Sequence, residues 1–192
     1  MDMHELVLKT RSYRGFDESV KISREQLLKL VDLARLSASS QNNQPLRDYL
    51  SWTPEQNAVI QPLTGWARRL PDLNLPREGH RPTAFIVVLI DKTFGDPVAF
   101  KRDVGIVSQS IMLGATEMGL SGCMIGNFSA EKVSAALSLP ENLHPELILA
   151  LGKGDETIKI VPLKEGEKFD YYRDENDVHY VPKRALEDIV LN

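Results

Sequence analysis

A continuous apolar run in the middle of the chain places the strongest constraint on the fold. The segment TAFIVVLID, residues 83–91, has no polar residue between Thr83 and Asp91, and it is rich in β-branched side chains. A strand with one face in water would alternate polar and apolar residues, whereas an unbroken run of this length indicates burial on both faces. We therefore expect residues 83–91 to form a buried strand.

Two longer segments carry the periodicity of amphipathic helices. In SREQLLKLVDLARLSA, Ser23 and Gln26 form a capping box, and apolar residues follow at helical spacing. Residues 103–120 repeat the pattern, with Gly119 as a C-terminal stop signal. Both segments are predicted to be helices that pack one apolar face inward.

Shorter signals predict the remaining elements. They are a helix over residues 3–10 with Leu6 and Val7 inward, strands at RDYLSW, SGCMIG and ELILALG, and helices after the caps Thr53 and Ser129. The order of these elements predicts a protein that mixes helices and strands.

Two segments lack such periodicity. Residues 61–82 hold four prolines and two glycines, and irregular excursions of this length tend to be lids or binding loops. After Gly154 the composition becomes polar and acidic, which predicts an arm over 155–192 that closes with a small helix at RALEDIVLN. With 192 residues and no internal repeat, the chain is expected to be one domain.

Composition excludes several classes of protein. The formal net charge is −4, from 23 basic and 27 acidic residues, which argues against a general nucleic-acid binder. No stretch approaches the roughly 20 apolar residues of a membrane-spanning helix. A single cysteine permits no intrachain disulfide, so we expect a soluble cytoplasmic protein without nucleic-acid or membrane partners.

The sequence offers little acid–base or metal chemistry of its own. The four histidines share no metal-ligand spacing, and no phosphate-binding loop, HExxH motif or nucleophile elbow occurs. The glycines of GLSGCMIG do not fit the dinucleotide fingerprint. Cys123 has apolar neighbours that favour an inert buried thiol. We therefore predict no metal site and no dedicated catalytic side chain, and an enzyme built on this chain would rely on a cofactor.

A basic cluster near the N-terminus suits a small anion. In RSYR, Arg11 and Arg14 offer forked donors and Ser12 offers a hydroxyl, a set that matches a phosphate group. The alternative is a solvated turn whose arginines pair with Asp17 or Glu18. This segment alone favours the alternative.

Two further polar segments are ambiguous in the same way. Short donors and acceptors in the loop SSQNNQP could read the edge of a planar heterocycle, and a second basic pair occurs in VPKR near the C-terminus. Taken alone, the loop favours an ordinary helix exit, and the basic pair favours a solvated charge pair. The residues concerned are Ser39, Ser40, Asn42, Gln44, Lys183 and Arg184.

Taken in order, six segments resemble the FMN-dependent nitroreductase family in its smaller form. They are TRSYRGF, SASSQNNQPL, RPTAFIVVL, DVGIVSQSIMLGATEMGLSGCMIG, LALGKGDE and VPKRALEDIV, and they span nearly the whole chain. The resemblance implies an α+β fold with a central mixed sheet flanked by helices. It also implies an intertwined homodimer with FMN at the subunit interface.

The same resemblance implies an activity and a set of cofactor contacts. NADH or NADPH would reduce FMN, which would then reduce a nitroaromatic, a quinone or a similar small acceptor in a ping-pong cycle. Arg14 would stabilise the N1 edge of the flavin, and residues 61–82 would form the lid. The remaining FMN contacts implied are Arg11, Ser12, Ser39, Ser40, Asn42, Gln44, Gly122, Met124, Ile125, Gly126, Lys183 and Arg184, with the loop residues supplied partly by the partner subunit.

The chain departs from the family pattern at three positions. Thr10 stands where members often have a first arginine, and Ala38 and Leu46 replace the proline and tryptophan that usually bound the polar loop. The resemblance also leaves alternatives open. The same fold could carry reductive dehalogenation, flavin conversion or FMN binding without turnover, and a plain interaction domain with basic termini is a further reading.

Overall fold

The computed structural model describes residues 1–192 and is built around a five-stranded sheet of order β1–β5–β3–β2, with β4 also paired to β5. All ladders are antiparallel, and one isolated parallel bridge, Ser12 with Gly122, makes the sheet mixed at its β4 edge. The strands are β1 Phe16–Asp17, β2 Leu46–Ser51, β3 Ala84–Asp91, β4 Ser121–Ile125 and β5 Leu143–Gly154. Every residue of β3 is buried, which confirms the strand expected from its apolar run.

Four helices cover the two faces of this sheet and a fifth, the first along the chain, lies against the fourth, which confirms the α+β class. The five helices are α1 Met3–Lys9, α2 Arg24–Leu36, α3 Pro54–Ile60, α4 Lys101–Glu117 and α5 Ala130–Ala136. Apolar residues of α2 and α4 pack on one face in a cluster of 17 buried residues. Ile60 of α3 and Val133 of α5 belong to a second cluster on the other face. No helix combines the length and apolar character needed to cross a membrane.

The helix ends follow the capping signals in the sequence. Ser23 and Gln26 exchange hydrogen bonds at the start of α2, and Thr53 and Gln56 do the same at α3. Gly119, at φ +74°, adopts the left-handed conformation that ends α4. These three boundaries confirm the predicted ones, because the signals are local and need no tertiary contact.

The first helix has the predicted span but not the predicted inner face. No residue of α1 is buried, and the side chain of Val7, expected to point inward, is 43% exposed. Attachment is polar instead, since Thr10 Oγ1 donates to Thr116 Oγ1 of α4 at 2.9 Å. Periodicity identified the helix, but it could not show that the protomer offers α1 no covering layer.

The arm contains structure that the sequence analysis did not anticipate. After β5, strands β6 Ile158–Pro162, β7 Tyr172–Arg173 and β8 His179–Lys183 form a separate sheet in which β8 is central.

The predicted terminal helix is wrong. A single 3₁₀ turn, Leu186–Asp188, replaces it, and Lys183 ends a strand rather than preceding a helix. Isolated helices shorter than about 12–15 residues need an apolar contact to persist. Here Leu186 and Leu191 are 70% and 99% exposed, so the segment has no such contact.

Residues 61–82 are irregular, as expected, apart from a 3₁₀ turn at Gln61–Leu63. The Gly65 amide donates to the Asn127 carbonyl at 2.7 Å, which fixes the start of the segment beyond β4. Two ion pairs then join it to the arm, Arg69 with Asp170 at 3.1 Å and Arg77 with Asp177 at 2.7 Å. The segment and the arm therefore lie against each other, while a lid function remains a prediction.

Candidate functional site

The basic N-terminal cluster lies directly beside β4. Ser12 forms a parallel bridge with Gly122, and the Tyr13 amide donates to the Gly122 carbonyl at 2.9 Å. A Cβ on Gly122 would lie 2.7 Å from the Ala150 carbonyl oxygen of β5, a contact that real Cβ atoms do not make. Only glycine therefore lets β4 lie this close to β5 and α4 at the point where the N-terminal segment bridges to it.

A cavity of about 280 Å³ opens at this junction. Its walls come from the N-terminal segment, from α4, from β4 and from the arm. Three of its lining residues are cationic and none is a carboxylate. The lining residues are Thr10, Arg11, Ser12, Arg14, Gln109, Met112, Met124, Tyr171, His179, Val181 and Lys183.

The arginines of this cavity form no ion pairs, so the alternative of a solvated, ion-paired turn is wrong. Asp17 accepts hydrogen bonds from Ser19, and Glu18 accepts one from the Arg81 amide. The Arg11 guanidinium donates only to backbone carbonyls, including that of Val7 at 2.8 Å, and burial lowers its pKa. Unpaired cations around an enclosed volume are suited to an anionic ligand.

The Arg14 guanidinium is held in place without a carboxylate partner. Its side chain is almost fully enclosed, with the residue only 8% exposed. Nη1 donates to the Ser12 carbonyl at 3.2 Å and contacts His179 Nε2 at 3.2 Å, while the guanidinium carbon lies 4.5 Å from the centre of the Tyr171 ring. A cation over an aromatic face adds further stabilisation.

His179 is neutral at physiological pH. Burial, together with the nearby Arg14 and Arg173 cations, lowers its pKa to about 4, and Asp177 opposes this shift only in part. Because a guanidinium only donates, Nε2 must be the acceptor, which leaves the imidazole proton on Nδ1. That Nδ1 atom is buried and has no hydrogen-bond partner.

A buried ion pair in the arm contacts the backbone of Arg14. Arg173 of β7 donates to Glu156, with side-chain exposures of only 5% and 6%, and it also donates to Asp177 at 2.9 Å. The second oxygen of the Glu156 carboxylate accepts the Arg14 amide at 2.7 Å. The arm is thereby connected to the N-terminal segment through charged hydrogen bonds.

The polar loop lies at a different cavity within the same chain. Ser39 and Gln44 line a groove of about 660 Å³ between α2 and β2, whereas Ser40 and Asn42 line neither cavity. Asp103 of α4 fixes the loop by accepting the Ser39 hydroxyl at 2.7 Å and the Ser40 amide at 2.9 Å. One protomer therefore does not bring this loop to the basic cavity.

Of the other predicted contacts, some line the basic cavity and some do not. Met124 is 36% exposed and lines the basic cavity, whereas the Ile125 side chain is buried in the second apolar cluster. Gly126 lies exposed just beyond β4, and Arg184 follows β8 without lining the cavity. Cys123 is buried and burial raises its pKa to about 11, so it remains a thiol, which agrees with its predicted inertness.

Sequence reasoning missed Tyr171, His179 and Gln109, all of which line the basic cavity. The scattered spacing of the histidines argues against a metal ligand and gives no other role for His179. The signal in the sequence is the dense aromatic stretch FDYYRDENDVHY, which lies shortly before the basic pair. Three tyrosines and a histidine carry large ring surfaces that a fully exposed arm would leave in water, so this stretch indicates a folded segment with a buried surface.

Known proteins give an independent comparison. YdgI of Bacillus subtilis (strain 168), provisionally named an NAD(P)H nitroreductase, is 25% identical over 187 residues, with 79% of this chain and 88% of YdgI covered. A nitroreductase family protein of Clostridium difficile 630 is 28% identical with a TM-score of 0.64, and the match covers 81% of this chain and 86% of that one. A provisionally named nitroreductase from Exiguobacterium sibiricum 255-15, solved in complex with FMN, has the same fold, with a TM-score of 0.68, 23% identity and coverage of 81% and 90%.

The family comparison covers both the sheet and the basic N-terminal cluster. The sequence model described as the nitroreductase family matches residues 7–153, which run from α1 to the end of β5. This range includes RSYR, the polar loop and β4, and it omits the arm. On this match, the chain belongs to the nitroreductase family.

Proposed function

We propose that the protein is an FMN-dependent NAD(P)H oxidoreductase that reduces nitroaromatics, quinones or similar small acceptors. The observation that carries the proposal is the cavity at β4, with three cationic side chains and no carboxylate. Two similar proteins, one named an NAD(P)H nitroreductase and the other a nitroreductase solved in complex with FMN, support the choice of cofactor and reductant.

The donors present are suited to the phosphate of FMN. A phosphate monoester carries about −1.5 to −2 charges at neutral pH, and a single cation at ~4 Å contributes about 4 kcal/mol at an effective dielectric near 20. Desolvation offsets much of this gain, so several cations are needed. We assign the phosphate to Arg11, Ser12 and Lys183, all of which line the cavity.

Arg14 and Met124 are assigned to the flavin ring. When bound, FMN supplies two-electron transfer from a reduced nicotinamide to the acceptor. Arg14 would stabilise negative charge at one ring edge, because its buried guanidinium is already positioned and has no carboxylate partner. Met124 and Tyr171 would exclude water from the ring with apolar surface. No acidic side chain lines the cavity, so solvent would supply protons to the product.

The polar loop is assigned to the site of a second subunit in a homodimer. Ser39 and Gln44 line a groove separate from the basic cavity, so one protomer does not unite them. Gln109 lines the basic cavity from the exposed side of α4, close to the solvent-exposed Ile106. A dimer formed on this side of α4 would place each cavity at the subunit interface.

Titration with FMN is the direct test. Purified protein incubated with excess FMN and then desalted should be yellow and should quench flavin fluorescence at a one-to-one ratio per chain. The Arg14→Ala variant should retain some FMN but slow its reduction by NADH or NADPH. Lys132→Ala, at an exposed lysine of α5 on the opposite face of the sheet, should leave both unchanged.

Two outcomes would contradict the proposal in different ways. Folded protein that stays colourless and gives no calorimetric binding would exclude FMN as the ligand. Bound FMN without oxidation of NADH or NADPH, across a panel of nitroaromatics and quinones, would indicate a binding protein rather than a reductase.

A further inference from the structure

Arg14 departs from the usual chemistry of buried guanidinium groups. Buried charges are normally paired with opposite charges, because an unpaired one loses its hydration without compensation. Arg173, close by, follows this rule with Glu156 and Asp177. Arg14 does not, since its guanidinium hydrogen-bonds only to the Ser12 carbonyl and His179 Nε2, both neutral, and otherwise lies against the Tyr171 ring. The Glu156 carboxylate accepts the main-chain amide of Arg14 and not its guanidinium.

The groups around His179 keep it in the accepting form. Arg14 faces it from the N-terminal segment, Arg173 from β7, and Asp177 from the turn before β8. The Tyr171 ring lies 5.2 Å from the imidazole, centre to centre. Asp177 is occupied by Arg77 and Arg173, so two cations dominate at His179 and oppose its protonation.

We propose that His179 is a positioning residue that fixes the Arg14 guanidinium in the cofactor cavity while leaving its positive charge uncompensated. The inference rests on the proposed function, since the charge is of use only to an anionic ligand. A carboxylate at position 179 would hold Arg14 equally well and would stabilise the empty protein. It would also cancel the charge that the ligand needs, which a neutral imidazole avoids.

Three substitutions separate position from charge. His179→Gln keeps a neutral acceptor, His179→Glu supplies an acceptor that neutralises Arg14, and His179→Leu removes the acceptor. We expect His179→Gln to bind FMN within about threefold of wild type. His179→Glu should weaken binding about 10- to 100-fold, because one of three cations in the cavity is lost to the ligand. His179→Leu should fall between them.

The measurements distinguish positioning from mere folding. FMN affinity is taken from fluorescence quenching, and the midpoint potential of the bound flavin from equilibration with a redox dye. His179→Glu should lower that potential, making the flavin harder to reduce, whereas His179→Gln should leave it unchanged. Chemical unfolding of each variant shows whether the protein is intact, and we expect His179→Glu to unfold no more readily than His179→Gln.

A ligand-free measurement covers the case in which variants fold poorly. Nitrogen-15 spectra of wild-type histidines at pH 7 should show His179 neutral with its proton on Nδ1. An Nε2-protonated ring would overturn the proposal, because Nε2 could then not accept from Arg14.

Three further results bear on the proposal. Equal affinity and equal potential for His179→Glu and His179→Gln would overturn it, since charge at position 179 would then be irrelevant. Equal losses in both variants, with unchanged unfolding, would overturn it too. If wild type binds no FMN, the proposed function fails, and the same variants are then compared with inorganic phosphate as the probe. Tighter phosphate binding by His179→Gln than by His179→Glu would still support the role of His179. Equal phosphate affinity in the two variants would refute it.

Discussion

At the scale of single residues, the surroundings of Gly122 leave no space for a side chain. A methyl group there would lie 2.7 Å from the Ala150 carbonyl, 2.8 Å from Leu151 Cδ2 and 3.0 Å from Met112 Cε. We expect Gly122→Ala to destabilise the protein by about 1–3 kcal/mol, the usual cost of overpacking. It should also weaken FMN binding, because Ser12 is bridged to this residue.

Chemical unfolding and FMN titration check this prediction, with Ser121→Ala as the neighbouring control. The Ser121 side chain is only half-buried, and its removal should change stability by no more than about 0.5 kcal/mol. Wild-type stability and affinity in Gly122→Ala would mean that β4 can move away from β5 without consequence for the site.

Asp48, also at the residue scale, gives the protein a pH-dependent stability. Asp48 lies on β2 with its Oδ1 buried and without a hydrogen-bond partner, and burial raises its pKa from the usual 3.8 to about 6. The folded protein thus holds this proton more tightly than the unfolded chain, so stability is lost as pH rises from 3.8 to about 6. Asp48→Asn should remove that loss and stabilise the protein at pH 8 by at most about 3 kcal/mol.

Denaturant midpoints measured from pH 4 to pH 8 test this expectation. The exposed residue Asp72 provides the control, since Asp72→Asn should reproduce the wild-type profile. If Asp48→Asn has the wild-type slope between pH 4 and pH 6, then Asp48 is not the group responsible.

At the scale of elements, the buried pair of Glu156 and Arg173 lies within the arm, and Glu156 also accepts the Arg14 amide, which connects the arm to the N-terminal segment. Glu156→Gln would leave Arg173 without its main counter-ion at a site where its side chain is 5% exposed. Breaking a buried pair by removing one partner costs about 3–5 kcal/mol. We therefore expect Glu156→Gln to lose much of its stability. Hydrogen exchange in β6 and β8 should be faster in the variant than in wild type, and exchange in β3 should change less.

Glu165→Gln is the matched control for this change. Glu165 is an exposed residue of the same arm, so its variant should behave as wild type. Equal exchange in β8 of Glu156→Gln and of wild type would show that the arm is held by its apolar contacts instead.

Elements differ in how far the sequence determines them. The ends of α2 and α3 follow from Ser23 and Thr53, whose caps are local, and β3 follows from an apolar run that tolerates no other environment. The sheet of the arm depends on β8 pairing parallel with β6 and antiparallel with β7, each only two to five residues long. Such strands are stabilised by partners distant in sequence, so no local pattern revealed them.

At the scale of the whole molecule, the basic cavity was only partly predictable for the same reason. Arg11, Ser12, Arg14 and Lys183 line it, and their capacity to donate hydrogen bonds to an anion is visible in the sequence. The neutral state of His179 is not visible, because it results from burial beside two arginines. Residue type can be read along the chain, whereas a pKa depends on what the fold places around the group.

The apolar surface of the molecule bears on its assembly. On α4, Ile106 is 42% exposed, and it is close in sequence to Gln109 of the basic cavity. On α3, on the opposite face of the sheet, Val59 is 41% exposed. The two residues are equally exposed, but only Ile106 lies on the helix that lines the basic cavity. Ile106 is therefore the test position for the proposed dimer, and Val59 is its control.

If the homodimer forms on the exposed side of α4, Ile106→Glu should disrupt it, because a buried unpaired charge at an interface is strongly unfavourable. Light scattering should then find wild type and Val59→Glu at twice the 21.6 kDa chain mass and Ile106→Glu at the chain mass itself. FMN affinity should fall at least about tenfold in Ile106→Glu alone, since the cavity would lose the partner's polar loop. An Ile106→Glu monomer with wild-type FMN affinity would show that one chain completes the site, and a dimeric Ile106→Glu would place the interface elsewhere.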